Sequence, residues 1–178
     1  MPGGRDFEAA AAACERQVYS ACLYMMGSPE DAMDCAQEAM LRAYRGYSSF
    51  RGDASEKTWF LRIAMNVCTD ALRKRRNVVS LDALREEQGF DPPDTAPGLY
   101  ARLEQKERRA VLRESIRQLP DEARQLIILR DMQGMPYGEM AQVLSLPLGT
   151  VKSRINRARE KLSALLNKNA ELFSSRSV

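Results

Sequence analysis

Apolar residues recur every three or four positions along most of this 178-residue chain, and this spacing constrains its fold more than any other feature. Such spacing places apolar side chains on one face of an α-helix, whereas a half-buried strand alternates apolar and polar residues. The first stripe consists of Phe7, Ala11, Cys14, Val18, Ala21, Cys22 and Met25. No segment shows a clear strand alternation, so the sequence predicts an all-α protein.

Turn and capping residues separate the first three predicted helices. Gly27 ends the first, and Ser28 followed by Pro29 begins the second, because serine caps a helix N-terminus and proline fits its first position. The second helix runs to Gly46 with a small-residue buried stripe of Ala32, Cys35 or Ala36, Ala39 and Ala43. The third ends at about Arg76, and its predicted core face contains Phe60, Ile63, Ala64, Val67, Ala71 and Leu72.

A proline-rich segment then divides the chain into two parts. Asp91 to Asp94 and Ala96 to Gly98 contain three prolines, which cannot continue a helix. We therefore predict two small helical domains, 1–76 and 106–178, joined by a flexible linker, 77–105. The C-terminal domain is predicted to have helices from about Asp121 to Met132 and from Tyr137 to Ser145.

The last predicted helix, from Thr150 to about Leu166, completes a helix-turn-helix, with Thr150 as its N-cap. Its apolar face contains Val151, Ile155, Ala158, Leu162 and Leu165. The opposite surface carries hydrogen-bond donors suited to phosphates and base edges: Lys152, Ser153, Arg154, Asn156 and Arg157. Cations in a first turn oppose the helix dipole, which indicates a polyanionic partner.

Several residue types that catalysis or metal binding would need are missing. The chain has no histidine, its four cysteines form no CxxC pair, and it contains neither a phosphate-binding loop nor a GxSxG motif. We therefore expect no enzyme activity and no cofactor, and we expect the cysteines to be small buried residues. The sequence has no long apolar run or export signal, so we expect a cytoplasmic protein without membrane insertion.

The C-terminal motifs resemble a known family. Leu119-Pro120, the helix from Tyr137 to Ala141 and the segment from Gly149 to Arg154 look like the C-terminal domain of sigma-70-family factors of the extracytoplasmic-function (ECF) group. The chain differs at Ser145, where that family often has glycine. The resemblance implies that this domain reads the promoter −35 element through Thr150, Lys152, Ser153, Arg154, Asn156 and Arg157.

The N-terminal half extends the resemblance. The helix from Asp31 to Arg45 is similar to the family's region that docks on the clamp helices of the polymerase β′ subunit. Six outward residues match that region: Asp34, Gln37, Glu38, Leu41, Arg42 and Arg45. Helical spacing alone favours a solvated surface with local ion pairs such as Glu38 to Arg42, and it is the resemblance that implies a docking face.

The third helix and the loop before it resemble the part of the family that opens and reads the −10 element. The matching helix residues are Trp59, Arg62, Asn66 and Arg73, and the matching loop residues are Phe50, Arg51, Gly52 and Asp53. An indole beside basic and amide groups suits unstacked bases. A lone tryptophan also fits a core position, and the four cations from Arg73 to Arg76 suit a DNA backbone.

The resemblance implies a transcription initiation factor that acts by binding alone. Its partners would be the RNA polymerase core, through the β′ clamp helices and the β subunit, promoter DNA, and an anti-sigma factor. Two other functions fit parts of the sequence: a homodimeric helix-turn-helix regulator, and a helical adaptor that binds single-stranded RNA. The first leaves the Trp59 to Arg73 surface unexplained, and the second leaves the last helix unexplained.

Overall fold

The computed structural model of the protein describes residues 6–79 and 99–176, and every regular element in those two ranges is helical. The helices are α1 (Phe7–Met26), α2 (Pro29–Gly46), α3 (Glu56–Val79), α4 (Leu99–Arg117), α5 (Asp121–Ile127), α6 (Tyr137–Leu144) and α7 (Leu148–Arg176). A 3-10 turn, Tyr47–Ser49, follows α2, and a π-helical turn, Ile128–Met132, continues α5. The predicted all-α fold is confirmed. Among the described residues, none of the helices has the length and apolar composition of a membrane span.

The predicted boundary between α1 and α2 is confirmed in its details. Gly27 ends α1 in the left-handed conformation, with φ of 74°, and its N–H donates to the Leu23 carbonyl at 2.8 Å. The Ser28 hydroxyl accepts a hydrogen bond from the Asp31 N–H at 3.5 Å, and Pro29 occupies the first position of α2. Capping and a left-handed glycine therefore determine where the chain turns between these helices.

Helices α1, α2 and α3 pack around a core of small and medium side chains. The predicted α2 stripe is buried at every position, both Cys35 and Ala36 included. All four cysteines are buried with free thiols, as predicted. Hydrogen bonds with Cys22 and Cys35, together with burial, raise the pKa of the Cys68 thiol and keep it protonated. No group of residues in the described ranges is arranged to hold a metal ion.

The buried surface of α3 is wider than its predicted core face. Phe60, Ala64 and Val67 are buried as predicted, and Leu61 and Met65 are buried as well. The last two lie on the side of the helix that also carries Thr58 and Thr69, and both threonines contact the C-terminal half. The buried part of α3 therefore extends toward the side on which these two threonines contact the C-terminal half.

The C-terminal half is organised around α7, which packs on α4, α5 and α6. The predicted apolar face of α7 is confirmed, with Val151, Ile155 and Ala158 buried. Farther along, the Asn169 amide donates to the Ser115 hydroxyl of α4 at 2.9 Å, and both side chains are buried. Helix α7 runs to Arg176, well beyond the predicted end, because this later part packs on α4.

The predicted start of the last helix differs from the structure. Helix α7 begins at Leu148, so Thr150 is its third residue and the prediction that Thr150 is the N-cap was wrong. The physical reason is that the Val151 N–H donates to the Pro147 carbonyl at 3.0 Å, which starts the helical bonding two residues earlier. Residues 77–79 and 99–105, placed in the predicted linker, are helical. The part from 80 to 98 lies outside the described residues.

One buried cation joins the two halves. Arg124 of α5 is 8% exposed, and its guanidinium donates to the carbonyl oxygens of Met25, Ile116, Arg117 and Leu119. Met25 belongs to α1, and the other three acceptors lie at the end of α4 or just after it. Because helix ends leave carbonyls without internal partners, this single side chain stabilises the junction of three helices.

Ser145 generates a stability prediction, because it adopts the left-handed conformation (φ 53°, ψ 45°) at the end of α6. We expect Ser145→Gly to raise the free energy of unfolding by about 0.5–1 kcal/mol, since glycine adopts this conformation without steric cost. Ser163 is exposed within α7, and Ser163→Gly should lower the free energy of unfolding by about 0.5 kcal/mol. Denaturant unfolding of both variants tests this, and a loss of stability in Ser145→Gly would contradict it.

Candidate nucleic-acid and polymerase interfaces

Helix α2 presents its predicted residues on the side opposite its buried stripe. We call this surface the α2 face; it consists of Asp34, Gln37, Glu38, Leu41, Arg42 and Arg45, and all but the half-exposed Glu38 are exposed. The Arg42 Nε donates to Glu38 Oε1 at 2.7 Å, and Arg42 Nη1 lies 3.6 Å from Asp70 Oδ2 of α3. The bond to Glu38 raises the pKa of Arg42. The predicted local ion pair therefore exists, and Asp34, Gln37, Leu41 and Arg45 of the same face are exposed.

A groove between α1 and α2 adjoins the α2 face. It encloses about 750 Å³ and is mainly apolar, and we call it the α1–α2 groove. It is lined by Phe7, Glu15, Arg16, Tyr19, Met33, Ala36, Gln37, Met40, Leu41 and Tyr44. Met33, Leu41 and Tyr44 are 47%, 51% and 67% exposed, which is unusual for large apolar side chains. The sequence analysis missed this groove, although Met33, Met40 and Tyr44 form a second helical stripe on α2.

The residues predicted on α3 share one side of the helix. This α3 face consists of Trp59, Arg62, Asn66 and Arg73; Trp59 is half-buried and the other three are exposed. The indole packs against three neighbouring rings, with centroid distances of 5.1 Å to Phe50, 6.0 Å to Tyr47 and 5.4 Å to Phe60. Trp59 is therefore neither a core residue nor a free surface residue, because one side of it completes an aromatic cluster.

The loop predicted to accompany the α3 face lies beside it. In this 50–53 loop Phe50 is half-buried against Trp59, whereas Arg51, Gly52 and Asp53 are exposed. Side-chain bonds hold both of its ends: the Tyr47 hydroxyl donates to Glu56 Oε1 at 2.6 Å, and the Ser55 hydroxyl accepts from the Thr58 N–H at 3.1 Å. The structure therefore brings the predicted loop and helix residues together in one place.

The predicted residues on α7 lie along one side of that helix. This α7 face consists of Lys152, Ser153, Arg154, Asn156 and Arg157, of which only Arg154 is half-buried. Thr150 is half-buried, and its carbonyl accepts from the Ser153 hydroxyl at 3.1 Å. Because α7 begins at Leu148, Lys152 and Arg154 lie after its first turn. Their positions therefore do not oppose the helix dipole, and the dipole no longer indicates a polyanionic partner. The clustering of donors on one side remains.

Two arginines of α7 form ion pairs within the C-terminal half, which the sequence analysis did not predict. Arg154 Nη1 lies 3.2 Å from the exposed carboxylate of Glu122. Arg159 makes two hydrogen bonds to Asp131, and these raise its pKa. An exposed pair such as Arg154 with Glu122 is weak and salt-screened, so Arg154 remains available to a polyanion. The bidentate Arg159 has a structural role.

Comparison with known families assigns both halves of the chain. The family described as Sigma-70 region 2 matches residues 11–78, which carry the α2 face, the 50–53 loop and the α3 face. The family described as Sigma-70, region 4 matches residues 109–162, which carry the α7 face.

Similar proteins extend this assignment. The RNA polymerase sigma-H factor of Pseudomonas aeruginosa is 37% identical over 145 residues, which cover 77% of this chain and 74% of that protein. The ECF RNA polymerase sigma-E factor of Escherichia coli K12 is 38% identical over 138 residues, covering 74% and 72%. The sigma factor RpoE of Bartonella quintana, solved with the anti-sigma factor NepR, shares the fold with a TM-score of 0.75 at 24% identity, covering 91% and 97%. The protein therefore belongs to the sigma-70 family, in its ECF group of RNA polymerase sigma factors, which direct transcription by that enzyme.

Proposed function

We propose that this sigma factor docks on the polymerase core through the α2 face, reads the −35 element as duplex through the α7 face, and holds the −10 element as melted strand on the α3 face and the 50–53 loop. The observation that carries the proposal is that three separate faces of one chain carry different kinds of side chain. The α2 face combines charged residues with Leu41. The α3 face combines an indole with an amide and cations, and the α7 face carries hydrogen-bond donors along one helix. Each suits a different partner.

The α7 face suits duplex DNA for a geometric reason. An α-helix fits the major groove, where arginine, asparagine and serine reach base edges and lysine reaches phosphates. On α7 these residues are exposed or half-exposed, while the buried Val151, Ile155 and Ala158 hold the helix on α5 and α6. A rigid helix with its donors outward reads a sequence without rearranging its own core.

The α3 face suits a strand whose bases are unpaired. Stacking a base on an aromatic ring contributes about 1–3 kcal/mol, and flipping one out of a duplex costs a few kcal/mol. The Trp59 indole is anchored by Phe50, Tyr47 and Phe60, so it offers a preformed platform. Arg62 and Arg73 supply cations for phosphates, and the Asn66 amide supplies a hydrogen-bonding group. Stacking one base on the indole contributes about as much free energy as flipping one base costs, so it leaves little surplus. Melting therefore also needs the polymerase to hold both regions in place.

No chemical step is assigned to the protein itself. Polymerase carries out the synthesis, while this chain contributes binding to DNA and to the core, including the β subunit.

An anti-sigma factor is the further partner that we propose, and the α1–α2 groove is its docking site. A groove with exposed Met33, Leu41 and Tyr44 suits the apolar face of an inhibitor helix. Glu15 and Arg16 at its edge would pair with charges of opposite sign. Gln37 and Leu41 belong both to this groove and to the α2 face, so a bound inhibitor would compete with polymerase.

Docking on polymerase yields the first functional prediction. We expect Glu38→Lys to abolish association with the polymerase core, because it reverses a charge in the α2 face and breaks the bond to Arg42. The double change Asp34→Lys with Arg42→Glu should have the same effect. A pull-down with core enzyme measures it. The matched control is Glu30→Lys, at an exposed position in the first turn of the same helix, which should retain binding. Undiminished binding by folded Glu38→Lys would remove the α2 face from the interface.

Duplex reading yields the second functional prediction. Arg154→Ala should weaken promoter binding by the holoenzyme by about 1–3 kcal/mol if its guanidinium reads a base edge bidentately. Lys161→Ala, two turns farther along α7 and exposed, should cost less. Binding is measured on the cognate promoter and on promoters with an altered −35 element. An equal loss on all of them would show that Arg154 contacts phosphate and reads no base.

The −10 element yields the third functional prediction. Trp59→Ala and Asn66→Ala should both impair transcription from fully duplex promoters. On a template mismatched across the −10 element the cost of unpairing is removed in advance, so Trp59→Ala should recover in part. Asn66→Ala should recover little, because an amide reads bases by hydrogen bonding.

Thermal unfolding is the control for the tryptophan. Its truncation should cost about 1–3 kcal/mol, less than the 3–5 typical of a fully buried tryptophan, because one side of the ring is exposed. If Asn66→Ala is fully active on duplex promoters while Trp59→Ala unfolds the domain, the melting site lies elsewhere.

A further inference from the structure

Glu122 lies at the edge of the α7 face, and we propose that it is a positioning residue that holds the Arg154 guanidinium in the orientation that reads the −35 element. Arg154 Nη1 donates to Glu122 Oε2 at 3.2 Å, and this contact joins the first turn of α5 to the second turn of α7. The acid then raises promoter discrimination while it lowers the overall affinity for DNA. The inference rests on the proposed function, because it needs Arg154 to contact a base.

Arg154 differs from the other members of the α7 face in its burial. Lys152, Ser153, Asn156 and Arg157 are exposed, whereas Arg154 is half-buried. An arginine side chain has many rotamers, and it loses this freedom when its guanidinium docks on a base. A contact that is made before binding reduces that loss, because part of the ordering has already taken place. The bond to Glu122 therefore restrains Arg154 before DNA arrives.

The atom that Glu122 engages leaves the guanidinium able to read a base. Arginine carries five N–H donors in a planar fork, and a bidentate contact with guanine O6 and N7 needs two of them on one edge. The carboxylate accepts from Nη1, so the donors on the edge formed by Nε and Nη2 are not used in this contact. The acid therefore fixes the plane of the fork from one side, while another edge can face the DNA.

The ion pair is weak in the free protein and becomes stronger when DNA covers it. The Arg154 and Glu122 side chains are 41% and 81% exposed, so salt screens the pair before binding. Docking on a duplex removes part of the surrounding water, and the same two charges then interact at a lower effective dielectric constant. The carboxylate therefore restrains the guanidinium most strongly at the moment when it meets a base edge.

An exposed acid beside the α7 face is unfavourable for DNA binding as such. The Glu122 carboxylate repels phosphates and neutralises part of the attraction that Arg154 supplies. Its removal should therefore raise the affinity for any duplex, and at the same time lower the discrimination between promoters. These opposite signs distinguish a positioning residue from a purely structural one, because loss of a structural residue would weaken binding to every duplex.

The test measures binding of holoenzyme, reconstituted from polymerase core and the full-length chain, to two DNA duplexes. One is a promoter selected from a random-sequence pool by the wild-type holoenzyme, and the other is the same promoter with an altered −35 element. The ratio of the two affinities is the discrimination.

We expect Glu122→Ala to lower the discrimination about three- to tenfold, which is part of what a bidentate base contact supplies. The affinity for the altered duplex should rise about two- to threefold at low salt, because a charge near the phosphates is removed. Thermal unfolding confirms that the variant is folded.

Two conservative variants separate the charge from the contact. Glu122→Asp keeps the charge but shortens the side chain by one methylene, so the discrimination should fall while the affinity for the altered duplex stays unchanged. Glu122→Gln removes the charge but keeps a carbonyl acceptor for Arg154, so the affinity should rise while the discrimination is retained in part. The matched control is Glu160→Ala, which removes an exposed acid on another side of α7 and should leave the discrimination unchanged.

A double-mutant cycle decides whether Glu122 acts through Arg154. In an Arg154→Ala background, Glu122→Ala should have no further effect on the discrimination. Additive effects, an unchanged discrimination in Glu122→Ala, or an equal loss of affinity for both duplexes would overturn the positioning role. If Arg154→Ala itself leaves the discrimination intact, the proposed reading by Arg154 fails, and the role of Glu122 fails with it. If Arg154→Ala lowers the discrimination and Glu122→Ala does not, only the positioning role fails.

Discussion

Arg124 is the side chain on which the arrangement of the helices depends. Its guanidinium donates to carbonyl oxygens around the end of α4 and to one in the last turn of α1. These oxygens lack partners within their own helices, and the negative ends of two helix dipoles favour a cation there. The positions of α6 and α7 follow from that junction, because both helices pack on the π-turn or on α5. A buried charge thus helps to determine how α6 and α7 lie relative to the N-terminal helices.

Side-chain size differs between the inner and outer sides of α2. Alanine and cysteine on its inner side let α1 and α3 approach closely, and all of these small residues are buried. The bulky apolar residues Met33, Met40 and Tyr44 are thereby left on the outer side, where they form the α1–α2 groove with α1. The same helix therefore completes a core on one side and leaves a partly apolar surface exposed on the other. The charged residues that flank the groove keep that surface from being uniformly apolar.

Helical periodicity explains why so much of the candidate surfaces could be predicted from sequence. The angular position of a residue on a helix depends only on its number, so Arg62, Asn66 and Arg73 had to share one side of α3. The same reasoning failed at Thr150, because a backbone bond to Pro147 decides where α7 starts. It also could not show that Arg159 bonds to Asp131, since that pair joins different helices. The groove was missed because it requires two helices at once.

The amino-acid order alone therefore accounts for the helices, their buried stripes and the three outward faces, because these are properties of single segments. Only the tertiary structure decides that the two halves pack together. Lys57 and Gln133 are 76 residues apart, and Thr58 and Glu139 are 81 apart. Contacts at that separation between ordinary polar residues leave no periodic pattern, and each such residue would be equally acceptable on a solvated surface. These pairs can be identified only from the folded structure, in which the partners lie within hydrogen-bonding distance.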